Sequence, residues 1–236
     1  MNHMNRPGVL VNVAMSADGK IDSIARKGMA ISSSADKSRV DRLRASVDAV
    51  LVGGHTLLTE DPKLTVKSAA LRSERMRKGL EANPAKVGVA SLANLKVMGG
   101  FMSAGPARRL VYTTRRTTSE QIARLENAGA QVFVLGDVRV DLTAVMLSLY
   151  SHSIHTLLVE GGGTMIAEFF RLGLVDELTM YIAPCILGGA SAPTLADGSG
   201  FMPWQAAALR LESVEKLDKE GGILVHYFVE HKNSFE

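Results

Sequence analysis

Aliphatic and β-branched runs alternate along the chain with stretches of helical periodicity. "GVLVNVAMS" (8–16) is a continuous apolar run of strand length, which predicts a buried first strand. Ser33 and Asp36 are spaced as a capping box, and Val40, Leu43 and Val47 then recur at helical intervals. That pattern predicts a helix from near Ser34. "DAVLVGG" (48–54) reads as a second buried strand ending in glycines. From His55 to about Asn83 the chain turns polar and irregular, with Pro62 and Pro84 as punctuation. Strands are expected at 85–91, 108–114, 130–136 and 154–160, and in "VDELTMYIAP" (175–184). Helices are expected from about Thr118, where Thr118 and Gln121 form another capping box, over 142–150, and through "TMIAEFFRLG" (164–173). The last forty residues change character: two alternating runs joined by Glu220-Gly221-Gly222 predict a long hairpin.

Strands alternating with helices imply an α/β fold, a mainly parallel sheet flanked by helices, with the closing hairpin adding antiparallel strands at one edge. No linker interrupts the alternation, so one domain over 1–236 is expected, with its core at about 8–231. A hydrophobic fraction of 46% supports a sizeable core. The balance of 27 basic against 24 acidic residues gives a net charge of only +3. That surplus argues against a nucleic-acid partner, which demands a concentrated basic face. The densest basic stretch, "LRSERMRKG" (71–79), reads as a solvated helix face. The lone cysteine, Cys185, rules out an internal disulfide and reads as an inert buried thiol in a reducing compartment. "MNHMNRPG" lacks the apolar core of a signal peptide, and no run is long enough to span a membrane. A cytosolic protein is expected.

In such a sheet, ligands gather at the carboxyl ends of strands. "EGGGT" (160–164) lies at one of them. Its glycines would let the backbone approach a pyrophosphate at the start of the next helix; equally, they could serve a tight turn without a ligand. Glu160 shifts the balance toward a ligand. A turn needs no acid there, and an acid beside phosphates must serve another part of what is bound. "SADGK" (16–20) and "GGHTLLTEDPKLTVK" (53–67) fall at equivalent strand ends, although Asp18-Gly19 is also a common turn pair. Arg115 and Arg116, between a strand and a helix start, are suited to an extra phosphate on a nucleotide. The six histidines are scattered, and the pair His152 and His155 has no accompanying carboxylate or cysteine, so no metal is implied.

"VAMSADGKI", "LRASVDAVLVGGHTLLTEDPKLTV" and "LLVEGGGTMIAEFFRLGLVDELTMYIAPCILGG" resemble, in that order, the reductases of riboflavin biosynthesis. The similarity runs from about Val9 to Val229, and "RMRKGLEANPAKVGV" looks closest to the stand-alone archaeal and fungal type. The resemblance implies a dihydrofolate-reductase-like fold, NADPH as hydride donor, and a homodimer. The implied reaction reduces the ribose of a ribosylamino-pyrimidinone 5′-phosphate to a ribityl chain. The alternatives are reduction of a pterin or another heterocycle, or non-catalytic NADPH binding. By the same resemblance the cofactor is held by Thr56, Glu60, Ser91, Gly161, Gly162, Gly163 and Thr164. Glu60 stands where the family has aspartate, and Ala90 where an aspartate often precedes the serine. Lys20 and Glu160 are the catalytic candidates, and Asp18, Ser32, Arg44, Leu64 and Lys67 are placed on the substrate. Lys67 replaces an arginine, which keeps the charge and loses the bidentate grip. Ala30 replaces a tryptophan common in bacterial members.

Overall fold

The computed structural model describes residues 5–230; the expected core limit at 231, together with His3 and His231, lies outside them. The chain divides into two compact units, one built on Ser38–Leu158 and the other on Gly8–Lys37 and the chain from Val159 onward. The division passes through α1 (Ser34–Ser46) and through β6 (Thr156–Gly161).

In the first unit, β2 (Ala49–Gly53), β3 (Ala85–Val89), β4 (Arg109–Thr113) and β5 (Gln131–Val134) pair side by side, all parallel. β2 also neighbours β6, so the order read across this unit is β5-β4-β3-β2-β6. All five residues of β2 and of β3 are buried. A parallel strand covered on both faces has no polar side to show, which is why β2 reads as an unbroken apolar run; β3 departs from this only at the buried Lys86. The covering helices include α2 (Ala69–Arg77), α3 (Gly100–Ser103), α4 (Ser119–Asn127) and α5 (Leu142–Ser151). Both halves of the expected capping box of α4 are in place: Thr118 Oγ1 accepts from Gln121 N at 3.3 Å, and Gln121 Oε1 accepts from Thr118 N at 3.0 Å.

In the second unit the order is β6-β1-β7-β9-β8, with β1 (Gly8–Ser16), β7 (Glu177–Ala183), β8 (Ala208–Lys216) and β9 (Ile223–Glu230). β1 and β7 are parallel, while β7–β9 and β8–β9 are antiparallel, giving the expected closing hairpin. Behind β6 the helix α6 (Gly163–Arg171) buries Ile166, Ala167 and Phe169.

The irregular stretch expected from His55 to Asn83 needs correction. It holds a π-helical turn at Thr56–Glu60 and the helix α2. Ser68 caps α2 by accepting from Leu71 N at 3.4 Å. The helix has no regular apolar stripe, and Arg75 is buried inside it, donating to the carbonyls of Ala45, Val47 and Glu81. Its fixing interactions are thus hydrogen bonds to distant carbonyls, which periodicity does not register. The "LRSERMRKG" stretch nevertheless lies largely on a helix, as its composition implied. Cys185 is half-buried rather than buried.

Candidate functional site

The first unit carries its chemistry beyond β2 and β3. At the end of β2 the chain enters the π-helical turn, where Thr56 is half-buried, Leu57 is buried and Glu60 is exposed. Asp61 closes the turn in the left-handed region (φ 48), its N–H donating to Thr56 O at 3.2 Å. Its carboxylate turns away to accept from Gly100 N at 2.8 Å and Phe101 N at 2.9 Å. Of two adjacent acids, Asp61 is therefore structural and Glu60 faces outward. Ser91 is half-buried just past β3, the strand neighbouring β2, so Thr56 and Ser91 stand at the ends of adjacent parallel strands. Thr114 Oγ1 donates to Ser91 O at 2.6 Å, and Thr117 Oγ1 accepts from Ala93 N at 3.0 Å. These hydroxyls fix the loop that carries Ser91.

The same unit brings Arg44 to the loop that contains Lys67. Arg44 lies in the last turn of α1 and donates from a guanidinium nitrogen to Thr65 O at 3.3 Å. Asp41, nearly one turn earlier, accepts from Lys67 N at 2.6 Å and Ser68 N at 2.8 Å. Asp41 thus sets where the Lys67 ammonium begins, a role that nothing in the sequence signals. Lys67 is exposed. Leu64 is 1% exposed, in the left-handed region at φ 50. Its buried side chain leaves only the main chain to meet a substrate. A leucine held in this conformation costs on the order of 1–2 kcal/mol, and such strain clusters at ligand sites.

In the second unit, β1 ends in a tight loop. Ser16 Oγ donates to Asp18 Oδ1 at 2.6 Å and accepts from Lys20 N at 3.0 Å. Asp18 also accepts from Leu187 N at 3.1 Å and Gly188 N at 2.7 Å. The Ser16 hydroxyl first, and then the Leu187 amide, hold the Asp18 carboxyl down at about 2. Asp18 therefore spends its carboxylate on pinning the 187–188 loop. Lys20 is half-buried, bridges in antiparallel fashion to Thr194, and donates from Nζ to Ala192 O at 3.4 Å. Ser32 is half-buried one residue before Ser33, which caps α1 by accepting from Asp36 N at 3.2 Å. The Ser33 hydroxyl also bonds Asp218, whose carboxylate accepts from the buried Tyr181 hydroxyl at 2.9 Å and from Gly222 N at 2.7 Å.

Glu160 is half-buried near the end of β6, directly before the glycines. Gly162 has φ 83, and α6 starts there without a side-chain cap. Gly163 is fixed by a close approach: a Cβ on it would collide with Thr194 O and come within 3.0 Å of the Asp197 carboxylate. Asp197 N donates to Gly163 O at 3.1 Å, and its carboxylate accepts from the Thr194 hydroxyl at 2.7 Å. One side of the α6 N-terminus is thus taken by segment 194–197, while Thr164 is exposed. The sequence singled out the glycines and missed Asp197, whose partner lies far along the chain.

Each unit of this α/β protein thus places polar groups beyond the carboxyl ends of its strands, hydroxyls in the first and an acid and a lysine in the second, the position where such folds gather ligands. The chain belongs to the RibD C-terminal domain family, which matches residues 7–221. It is 41% identical over 212 residues, 90% of this chain and 94% of the relative, to the 2,5-diamino-6-ribosylamino-4(3H)-pyrimidinone 5′-phosphate reductase of Archaeoglobus fulgidus. The enzyme of that name from Methanothermobacter thermautotrophicus is 36% identical, covering 95% of this chain and 99% of its own. Among solved structures, Acinetobacter baumannii RibD superposes with a TM-score of 0.79 at 24% identity, over 97% of this chain and 59% of that one. Saccharomyces cerevisiae Rib7 superposes at 0.67 and 17% identity, over 98% and 93%. These two structural likenesses speak for the fold alone.

Proposed function

We propose that this chain is the riboflavin-biosynthesis reductase that converts the ribosylamino side chain of 2,5-diamino-6-ribosylamino-4(3H)-pyrimidinone 5′-phosphate to ribitylamino, with NADPH as reductant. The observation that carries this is 41% identity to a reductase so named, across nearly the full length of both chains. It favours the substrate that still bears its amino group. Relatives called RibD match at 29–30% over about half their length.

Each unit supplies donors of a kind that a nicotinamide dinucleotide uses. In the first unit Thr56 and Ser91 supply hydroxyls at adjacent strand ends; in the second the uncapped first turn of α6 offers backbone N–H groups to phosphate. When bound, the cofactor supplies the hydride. Arg44 and Lys67 bind the substrate's 5′-phosphate, and Glu160 and Lys20 orient the opened ribosylamine and balance charge at the carbon being reduced. Arg116 is exposed between β4 and α4, with its amide donating to Thr114 Oγ1 at 3.2 Å, and it favours the 2′-phosphate of NADPH over NADH. Its neighbour Arg115 pairs with Asp137 at 3.2 Å.

The test follows absorbance at the NADPH wavelength with the amino and deaminated pyrimidinones side by side, and repeats each with NADH. Oxidation of NADPH by the amino form is expected. Oxidation by the deaminated form alone reverses the substrate assignment. No oxidation by either, with NADPH bound, removes the reductase reading.

The protein acts as a homodimer through β8. This strand lies at the edge of its sheet and all nine of its residues are exposed, with Leu209, Leu211 and Val214 at 40%, 52% and 57%. An edge with such side chains invites pairing with a second copy. Leu211→Lys is expected to shift sedimentation from dimer to monomer; a wild-type protein that sediments as a monomer at micromolar concentration refutes the assignment. Among the described residues no helix is long and apolar enough to cross a membrane. A cytoplasmic location is part of this proposal.

A further inference from the structure

Two charged side chains of the first unit have no part in the chemistry above, and both grip the same short helix. α3 has only four residues, too few to hold its shape alone. At its start the Asp61 carboxylate accepts from Gly100 N and Phe101 N at 2.8 and 2.9 Å. At its end the Lys86 ammonium donates to Phe101 O at 2.9 Å, Ala104 O at 2.5 Å and, more weakly, Gly100 O at 3.4 Å. Lys86 sits on β3 with no exposed surface. Burial, and then the nearby Arg109 charge, lower its pKa to about 8, against a smaller opposing pull from Asp61, and all three carbonyls around it call for N–H donors. A buried charge is costly, and a methionine would fill the same space without that cost.

What the grip controls is the turn after β2. Leu57, inside the turn, packs over Gly88 together with Phe101 of α3. A Cβ on Gly88 would come within 2.7 Å of Leu57 Cδ2 and 3.2 Å of Phe101 Cζ. The turn is therefore tied to α3 twice, through Leu57 packing and through the Asp61 carboxylate. Across its own span the turn is closed by the main-chain bond from Asp61 N to Thr56 O at 3.2 Å, the upper end of the ordinary range. We infer that Asp61 and Lys86 are positioning residues for the cofactor, acting through α3 to set where Thr56 and Glu60 present themselves. This rests on the reading that Thr56 and Glu60 contact NADPH.

The experiment is steady-state kinetics on the full chain, with NADPH and substrate varied separately. Asp61→Asn keeps a residue that tolerates the left-handed conformation and loses one of the two amide bonds. It is expected to raise the KM for NADPH roughly tenfold, since small misplacements of binding groups are amplified. Substrate KM, and kcat at saturating NADPH, should stay within about twofold. Gly88→Ala leaves both charges in place and should act in the same direction, by pushing Leu57 and Phe101 apart. Lys86→Met should behave likewise where it folds; the other two variants carry the test if it does not. Combined with Thr56→Val, Asp61→Asn should add little, because both act on one contact. A raised NADPH KM in Thr56→Val with none in Asp61→Asn or Gly88→Ala overturns the positioning role. An unchanged KM in Thr56→Val overturns the cofactor reading of the turn, and this inference with it. Lower thermal stability with no change in NADPH KM leaves Asp61 and Lys86 as struts only.

Discussion

Glu160→Gln is expected to cut turnover by about 10²- to 10³-fold, the loss typical when an electrostatic group is removed from the reacting centre. The Kd for NADPH should change by less than about twofold, because glutamine keeps the volume and removes only charge. Val159 before Glu160 is fully buried and Gly161 after it is buried, so the strand fixes the side chain's origin and the substitution leaves β6 undisturbed. In the proposed reaction the opened ribosylamine presents an imine-like carbon, and a carboxylate beside it would stabilise the positive charge that makes this carbon accept hydride. Single-turnover rates, together with cofactor titration by fluorescence, check both halves. Unchanged turnover would remove Glu160 from the reaction, and lost NADPH affinity would reassign it to the cofactor.

The second large effect falls on substrate binding. Arg44→Ala should raise the substrate KM by roughly 10- to 150-fold, the range that follows from losing one charge-assisted hydrogen bond worth about 1.5–3 kcal/mol. Arg44 also donates to Thr65 O at 3.3 Å, so part of any loss could come from a loosened 64–68 loop. Two comparisons separate these causes. Arg44→Lys restores charge without the fork and should recover part of the loss. A substrate analogue without its 5′-phosphate should bind wild type and Arg44→Ala alike. If the analogue loses as much as the phosphorylated substrate on mutation, Arg44 supports the loop and does not clamp phosphate. Asp41 fixes the backbone at Lys67 and Ser68, so the main chain that carries the proposed clamp is set by contacts within the protein.

Most of the fold is written in local patterns, because a strand covered on both faces must be continuously apolar and a helix must solve its own capping. Thr118 with Gln121, and the unbroken apolar run of β2, are two such cases. α3 escaped because it is held by Asp61, 39 residues before its partner Gly100, and by Lys86, 15 residues before its partner Phe101. The site divides in the same way. Glycines before a helix and an acid where a turn needs none are visible in the sequence alone. Lys20 is visible as a point charge placed directly after the Asp18-Gly19 turn pair, whereas Arg44 and Lys67 stood out only through the family resemblance. Asp41 and Asp197 have partners that adjacency does not reveal, and Leu64 was placed on the substrate although its side chain is buried.

The pairing of β1 with β7 carries a consequence for biosynthesis. Leu10 lies opposite Glu177, and the neighbouring Val9 amide bonds Asp176 across 167 residues. A ribosome adding about 5–20 residues per second takes roughly 8–30 s to cover that interval. For an interval of that length after leaving the exit tunnel, the apolar side chains of Val9, Val11 and Val13 are without their β7 partner. The contiguous stretch Ser38–Leu158 emerges in full before β7 does, so the nascent chain presents a sticky amino-terminal strand ahead of an interior that can already close.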